Sequence, residues 1–443
     1  MNHDPNPLLN ADWLARLNSF GKLIVGFSGG LDSTVLLHAL AAQPSLRTKL
    51  VAVHINHGIS SNASSWQQHC AQCCHDLGIQ FITESVQFDR SANIEEHARI
   101  ARYAIFASLL TTKDCLILGH HQDDQAETVL LQLFRGAGID GLAAMTAVSH
   151  LGAGTLVRPF LTYSRLQLAH YATVHQLIWI EDESNQEITY SRNYLRQQIM
   201  PLLVEKWPGV VGTIARSALH CQQAKSNLDA LATQDIEGGS ELITLTSTSL
   251  CIDPLLNLNF ARIANILRVW LRNNQVQLPS TATFHRLINE LLYARTDAAP
   301  AVSWGDILIR RYQKYLYLDR KTSATLPACS VWSVFPAPLT LEDAGINLCA
   351  KKAEQGLVIP PGAKLEIRFR QGGEAFFWHG QSKQLKKLFQ EWGVPPWQRA
   401  RTPLVYINEQ LAAVIGYAIS DLFFSSSPAW QLSTSSVFTH KND

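Results

Sequence analysis

Residues Lys22 to Leu40, KLIVGFSGGLDSTVLLHAL, decide the fold. Leu23 to Phe27 is an apolar run rich in β-branched residues, which predicts a buried strand, and the pattern from Asp32 onward predicts a helix. Between them lies the turn Ser28-Gly29-Gly30. Such a strand, turn and helix aim several backbone N–H groups and the positive end of a helix dipole at one point, where an anion is held. Gly29 and Gly30 remove the Cβ atoms that would block a close approach, and Ser28 and Ser33 add hydroxyl donors. The loop is expected to hold phosphate oxygens.

Two common nucleotide loops are excluded. No Gly-Lys-Ser/Thr ends the segment, so no lysine is aimed at a γ-phosphate, and the third glycine of a dinucleotide fingerprint is missing. Ser28-Gly29-Gly30-Leu31-Asp32-Ser33 instead resembles the PP-loop of the ATP pyrophosphatase superfamily. The resemblance implies that these six residues bind ATP and that ATP is cleaved between its α- and β-phosphates. Asp32 reads either as a Mg²⁺ ligand or as a helix cap, because an unscreened carboxylate repels pyrophosphate.

Outward from the loop, Leu50 to Ile55, Phe81 to Ser85 and Cys115 to Gly119 read as further strands, with helical patterns over Ser64 to Leu77 and Asn93 to Leu110. Strands alternating with helices predict an α/β, doubly wound parallel sheet, whose ligands sit beyond the carboxyl ends of the strands. The fourth strand runs into Gly119-His120-His121-Gln122-Asp123-Asp124-Gln125-Ala126-Glu127-Thr128. On a helix Asp123 and Glu127 are four apart, as are His120 and Asp124 if the helix begins that early. One acidic residue at a helix start is ordinary capping. Two histidines, two aspartates and a glutamate are not.

This motif and the run Arg135-Gly136-Ala137-Gly138-Ile139-Asp140-Gly141-Leu142 closely resemble the tRNA(Ile)-lysidine synthase family. So do Glu96-His97-Ala98-Arg99 with Arg102-Tyr103, Arg158-Pro159-Phe160, Glu181 to Asn185, and Arg192-Asn193-Tyr194-Leu195-Arg196. Ala137, Phe160 and Glu183 depart from the family pattern without removing a reactive group. The resemblance implies adenylation of the wobble cytidine of an isoleucine tRNA carrying CAU, then displacement of AMP by the ε-amine of free L-lysine. The implied cofactors are ATP and Mg²⁺.

A lysine ammonium has a pKa of about 10.4, so the site must hold a cation and then take its proton. An aspartate is a good anchor and a weak acceptor; a histidine, or a carboxylate raised by burial, accepts better. Asp124 and Glu127 are therefore expected to bind lysine, with His120 or His121 assisting proton or phosphate chemistry; His120, His121, Asp124 and Glu127 form the catalytic set. Arg192 and Arg196 share a helix face suited to clamping tRNA phosphates, as do Arg99 and Arg102. An exposed arginine row is the alternative for each pair.

The α/β pattern stops near Trp207-Pro208-Gly209. Helical patterns follow at Val211 to Leu231, Phe260 to Asn273 and Thr283 to Ala294, and Leu308 to Asp319 reads as one strand, with Arg310, Arg311 and Lys314 available to RNA. Ser323 to Pro338 reads as a linker. Beyond it, a strand at Leu365 to Arg370 and a helix at Ser382 to Trp392 carry Lys364, Arg368, Arg370, Lys383, Lys386 and Lys387, interleaved with tryptophans. This is a local basic patch, and Arg368, Arg370, Lys386 and Lys387 are its expected tRNA contacts. The expected domains are catalytic 1–208, a mainly helical middle 209–322, and a small α+β tRNA-binding domain 339–443.

Composition sets the outer bounds. The 443 residues carry a net charge of only +1, so a nucleic-acid partner must be argued from patches. The longest apolar run, Leu411 to Ile419, is far short of a membrane span, and Met1 to Leu8 has no apolar signal core, so a soluble cytoplasmic protein with no membrane partner is expected. A homodimer is left open. The eight cysteines lack a framework spacing and are expected to be reduced, and His69 to His75, despite its Cys/His content, reads as a packed helix. A tRNA-thiolating relative is the closest rival reading, but it calls for paired reactive cysteines near the nucleotide.

Overall fold

The computed structural model describes residues 8–56, 58, 62–86, 94–181, 187–237, 245, 247–295, 298, 300–321, 326–327, 329–426 and 429–436. The chain divides into two compact units, Met1–Leu231 and Ala232–Asp443. The helix Val210–Glu237, expected to open the middle domain, begins in the first unit.

The first unit is built on six strands: β1 (Leu23–Gly26), β2 (Leu50–Asn56), β3 (Gln80–Ser85), β4 (Cys115–Ile117), β5 (Val148–Leu151) and β6 (Gly154–Val157). Their order is β3-β2-β1-β4-β6-β5. All neighbours are parallel except β5 and β6, an antiparallel edge hairpin that the strand readings did not include. The chain moves outward from β1 to β2 and β3, then returns to lay β4 on the other side of β1. That reversal opens a crevice at the carboxyl ends of β1 and β4. Leu23, Val25, Cys115 and Ile117 are buried in one core layer and Ile24, Leu116 and Leu118 in the opposite one, which explains why both strands read as continuous apolar runs.

In the second unit, the expected strand Leu308 to Asp319 is a hairpin of Ile307–Tyr312 and Tyr315–Arg320. The reversal falls on Gln313, at φ 52°, and Lys314, which lack the usual turn signature, so the alternation seemed unbroken. With Ser249–Cys251 and Ala301–Trp304 the hairpin forms a four-stranded sheet. The helix Phe260–Asn273 packs in the same core, around the fully buried Trp270.

A separate core gathers Trp332, Ile367 and Val405. The expected linker is partly structured: Cys329–Val331 pairs with Leu365–Arg368. The expected helix Ser382 to Trp392 is a strand, Gln381–Gln384, followed by the helix Leu385–Glu391. Ile346–Ala353 pairs antiparallel with Ala429–Ser436, a closure between distant segments that local pattern does not reveal.

Trp270 is 0% exposed, and its Nε1–H donates to the Ser247 carbonyl at 2.7 Å. Trp270→Ala is expected to remove about 3–5 kcal/mol of stability, read as a lowered urea midpoint; a loss under about 1 kcal/mol would contradict this account of the core.

Candidate active site

The loop after β1 is shaped from within. Ser33 Oγ donates to the Gly30 carbonyl at 3.0 Å and lies 3.1 Å from Ser28 Oγ, and Thr34 Oγ1 donates to the Gly29 carbonyl at 3.3 Å. Gly29 has φ +81°, and a Cβ there would sit 2.8 Å from Cys70 Sγ and 3.0 Å from Ile180 Cδ1. Both the conformation and the space require glycine. The helix Leu31–Ala41 has Gly30 as its N-cap, with no side-chain cap bond. Asp32 is therefore not the cap that one reading made it. Its Oδ2 faces His121 Nε2 at 3.6 Å, and its buried Oδ1 has no hydrogen-bond partner among the described residues.

The second half of the crevice begins where β4 ends. A Cβ on Gly119 would lie 2.9 Å from the Asp32 carbonyl oxygen, so the backbone leaving β4 presses directly on the first turn of the phosphate-loop helix. His121 then caps the helix Gln122–Phe134 in a reciprocal box: its Nδ1 accepts from the Asp123 amide at 3.2 Å, and Asp124 Oδ2 accepts from the His121 amide at 3.1 Å. This geometry delivers Asp124 and Glu127 to the crevice, both buried.

The two histidines, alike in sequence, differ in charge. Burial pulls the pKa of His121 down, but the hydrogen bonds of Asp123 and Asp32 and the charges of Asp124 and Asp32 overcome it and raise the pKa to about 10. Once protonated, Nδ1 no longer accepts from the amide and faces Asp123 Oδ2 at 3.5 Å. His120 goes the other way: burial first, then Arg158, Arg102 and Arg192, outweigh Asp124 and lower its pKa to about 3. Its buried Nδ1 has no hydrogen-bond partner among the described residues. At neutral pH one ring is a cation and the other a neutral acceptor. Burial pushes the Asp124 carboxyl up, but the charges of His121, Arg192 and Arg196 outweigh it and hold the group below the usual carboxylate range.

Arg192 and Arg196 differ from both sequence readings. They form neither an outward phosphate clamp nor an exposed row, because both guanidinium groups turn onto the carboxylates. Arg196 Nε donates to Glu127 Oε1 at 2.6 Å, while its Nη2 donates to Glu127 Oε2 at 2.9 Å and to Asp124 Oδ1 at 3.1 Å. Arg192 Nε donates to Glu127 Oε2 at 3.0 Å and Nη2 to Thr128 Oγ1 at 3.0 Å. A buried glutamate needs such partners. Asp124 and Glu127 thus carry resident cations where lysine was expected.

Arg158, in the turn Arg158-Pro159-Phe160, is a residue of the site that motif spacing does not single out. It is buried after β6, with Nη1 donating to the Thr146 carbonyl at 2.9 Å. A lone arginine closing the apolar run Thr155-Leu156-Val157 was the available signal. Arg99 and Arg102 both lie over the Tyr103 ring, at 5.3 and 5.7 Å. Asp182 to Asn185 lie outside the described residues. Cys70 and Cys74 are fully buried in the helix Ala63–Leu77, and burial pushes each thiol up to about 12. Among the described residues no group of three or more metal-binding side chains forms.

The basic patch of the second unit is largely paired internally. Arg368 bonds Glu366 and also Glu409 at 2.5 Å, Lys364 bonds Glu366, and Arg370 lies 3.7 Å from Glu374. Lys364 and Arg368 pull Glu366 down to about 2. Arg368 and Arg370, expected as tRNA contacts, thus have carboxylates beside them, whereas Lys386 and Lys387 are exposed. In the hairpin, Arg311 is spent on the carbonyls of Leu291, Leu292 and Ala294, and Lys314 pairs with Asp253 at 2.6 Å.

Known proteins match along this same layout. The family profile described as a PP-loop domain matches residues 8–203, the TilS substrate binding domain residues 250–317, and the TilS substrate C-terminal domain residues 365–435. A tRNA(Ile)-lysidine synthase of Legionella pneumophila (strain Paris) is 61% identical over 428 residues, covering 96% of this chain and 98% of the relative. That of Coxiella burnetii (strain RSA 493 / Nine Mile phase I) is 41% identical over 435 residues, covering 96% and 95%. Likeness of this extent runs through the catalytic segment and both segments after it, and the chain belongs to the tRNA(Ile)-lysidine synthase family.

Proposed function

We propose that this chain joins free L-lysine to C2 of the wobble cytidine in the CAU anticodon of a minor isoleucine tRNA. The base is first adenylated by ATP with release of pyrophosphate, and the lysine ε-amine then displaces AMP. The observation that carries this reading is the convergence, at the β1–β4 crevice, of an anion-binding loop with a buried carboxylate, histidine and arginine cluster. Thiolation finds no support in Cys70 and Cys74, which are buried and protonated.

In this reading Ser28 to Ser33 hold the β- and γ-phosphates. Asp32, with one orphaned oxygen beside the loop, suits a Mg²⁺ held by a single carboxylate and phosphates. That ion, when bound, screens the phosphate charge. Cationic His121 steadies negative charge near the α-phosphate. Of the pair, neutral His120 keeps a lone pair that can take the lysine proton; its lowered pKa makes it a weak base until phosphates entering the crevice raise its basicity. Asp124 and Glu127 bind the lysine ammonium after exchange with a guanidinium. Residues 339–443 engage the tRNA, with Lys386 and Lys387 as open cations. The enzyme works in the cytoplasm, where its tRNA is found. Among the described residues no helix is long and apolar enough to cross a membrane.

Labelled lysine incubated with CAU-anticodon tRNA should enter the RNA only when ATP is present, with AMP as product; ADP instead would sink the reading. Glu127→Gln should raise KM for lysine on the order of tenfold or more with a smaller change for ATP. Gly29→Ala should raise KM for ATP roughly tenfold or more, because the loop must reshape. Replacing Lys386 and Lys387 by alanine should lower the slope of log tRNA affinity against log salt by roughly 1.5 to 2 units; an unchanged slope would remove them from the interface.

A further inference from the structure

The two arginines on Glu127 are held differently. Arg192 is tied at a second point by Thr128 Oγ1, whereas among the described residues the three hydrogen bonds of Arg196 go to Glu127 and Asp124. Glu127 is 2% exposed while the Arg196 side chain is 36% exposed, so the cation side of the pair is the one nearer solvent. Arg196 also lies in a π-helical turn, Leu195–Ile199, between the helices Ser191–Tyr194 and Met200–Lys206. In a regular α-helix, residues four apart point along one stripe a full turn from each other. Four apart, both side chains share one face and meet on one carboxylate, and π-helical turns are frequent at functional sites.

Charge then poses a problem for the substrate. Glu127 already faces two guanidinium groups, and Asp124 faces Arg196 and the His121 ring, so an incoming ammonium finds both carboxylates compensated and gains little. We infer that Arg196 is a resident substitute for the lysine ammonium, a positioning residue that closes Asp124 and Glu127 until a phosphate of another substrate draws its guanidinium away. This rests on the reading of those carboxylates as the lysine site. Phosphate is the shared chemistry of the two anions that enter the crevice, ATP and RNA. Either one, by taking Arg196, uncovers the carboxylates, so lysine binding follows anion binding.

The test is calorimetric titration of lysine into the full chain alone, with a non-hydrolysable ATP analogue, and with CAU-anticodon tRNA, for wild type, R196Q, R196K and E127Q. Wild type should gain about tenfold in lysine affinity from one of the anions, and the two arms tell which. R196Q should bind lysine about tenfold more tightly than wild type with no anion present, and should gain nothing further. R196K, which keeps the charge but loses the fork, should fall between. A merely structural role predicts the opposite sign: R196Q that binds lysine no better than wild type, or keeps the anion-linked gain, overturns the inference. If melting shows R196Q unfolded, R196K decides on the same criterion. E127Q that leaves lysine affinity unchanged removes the lysine site itself and the inference with it.

Discussion

The contact on which the rest of the molecule depends is the close approach of two backbones, at Gly119 and at the first turn after Gly30. Parallel pairing of Leu23, Ile24 and Val25 with Cys115, Leu116 and Ile117 brings those ends together, and the missing Cβ at Gly119 lets them touch. A phosphate loop and an acidic helix start, distant in the chain, then share one crevice. Without that approach Asp32 and His121 would not meet, and the difference between the two histidines would vanish.

Charge in the crevice is dense and largely paired. Asp32, Asp123, Asp124 and Glu127 face His121, Arg192 and Arg196, and most of these groups are buried or half-buried. Breaking one buried pair costs several kcal/mol, roughly 3–5, when the remaining charge is left uncompensated. Exchange of one cation for another, or of one anion for another, avoids that cost. A reaction that brings in phosphates and an ammonium, and releases pyrophosphate and AMP, is of that exchanging kind.

The second unit handles charge otherwise. Most basic side chains there are held by carboxylates or rings, as with Arg368 over Tyr406 at 4.5 Å and Arg310 over Trp397 at 4.8 Å. Trp397 meets Tyr312 and Tyr317 edge to face, and Arg399 donates to the Tyr312 hydroxyl at 3.0 Å, so the Ile307–Tyr312 hairpin strand is fastened to the segment around Trp397. Counting lysines and arginines overstated the positive surface, because Glu409, the partner of Arg368, lies 41 residues away.

The sequence by itself determined the strand, glycine turn and helix at Leu23 to Ala41, the alternation of strands and helices after it, and the identity of the reactive cluster at His120 to Glu127. Those features rest on local causes: hydrophobic period, a turn only glycine tolerates, and side chains a few residues apart on one helix. The hairpin at Gln313 escaped because its turn lacks the usual residues, and the pairing of Ile346–Ala353 with Ala429–Ser436 because no local pattern encodes a distant partner. The pKa directions that make His121 charged and His120 neutral, and the turning of Arg192 onto Glu127, 65 residues away, came from the tertiary structure alone. Charge state and ion-pair choice depend on burial and on neighbours contributed by other elements, and a linear pattern carries neither.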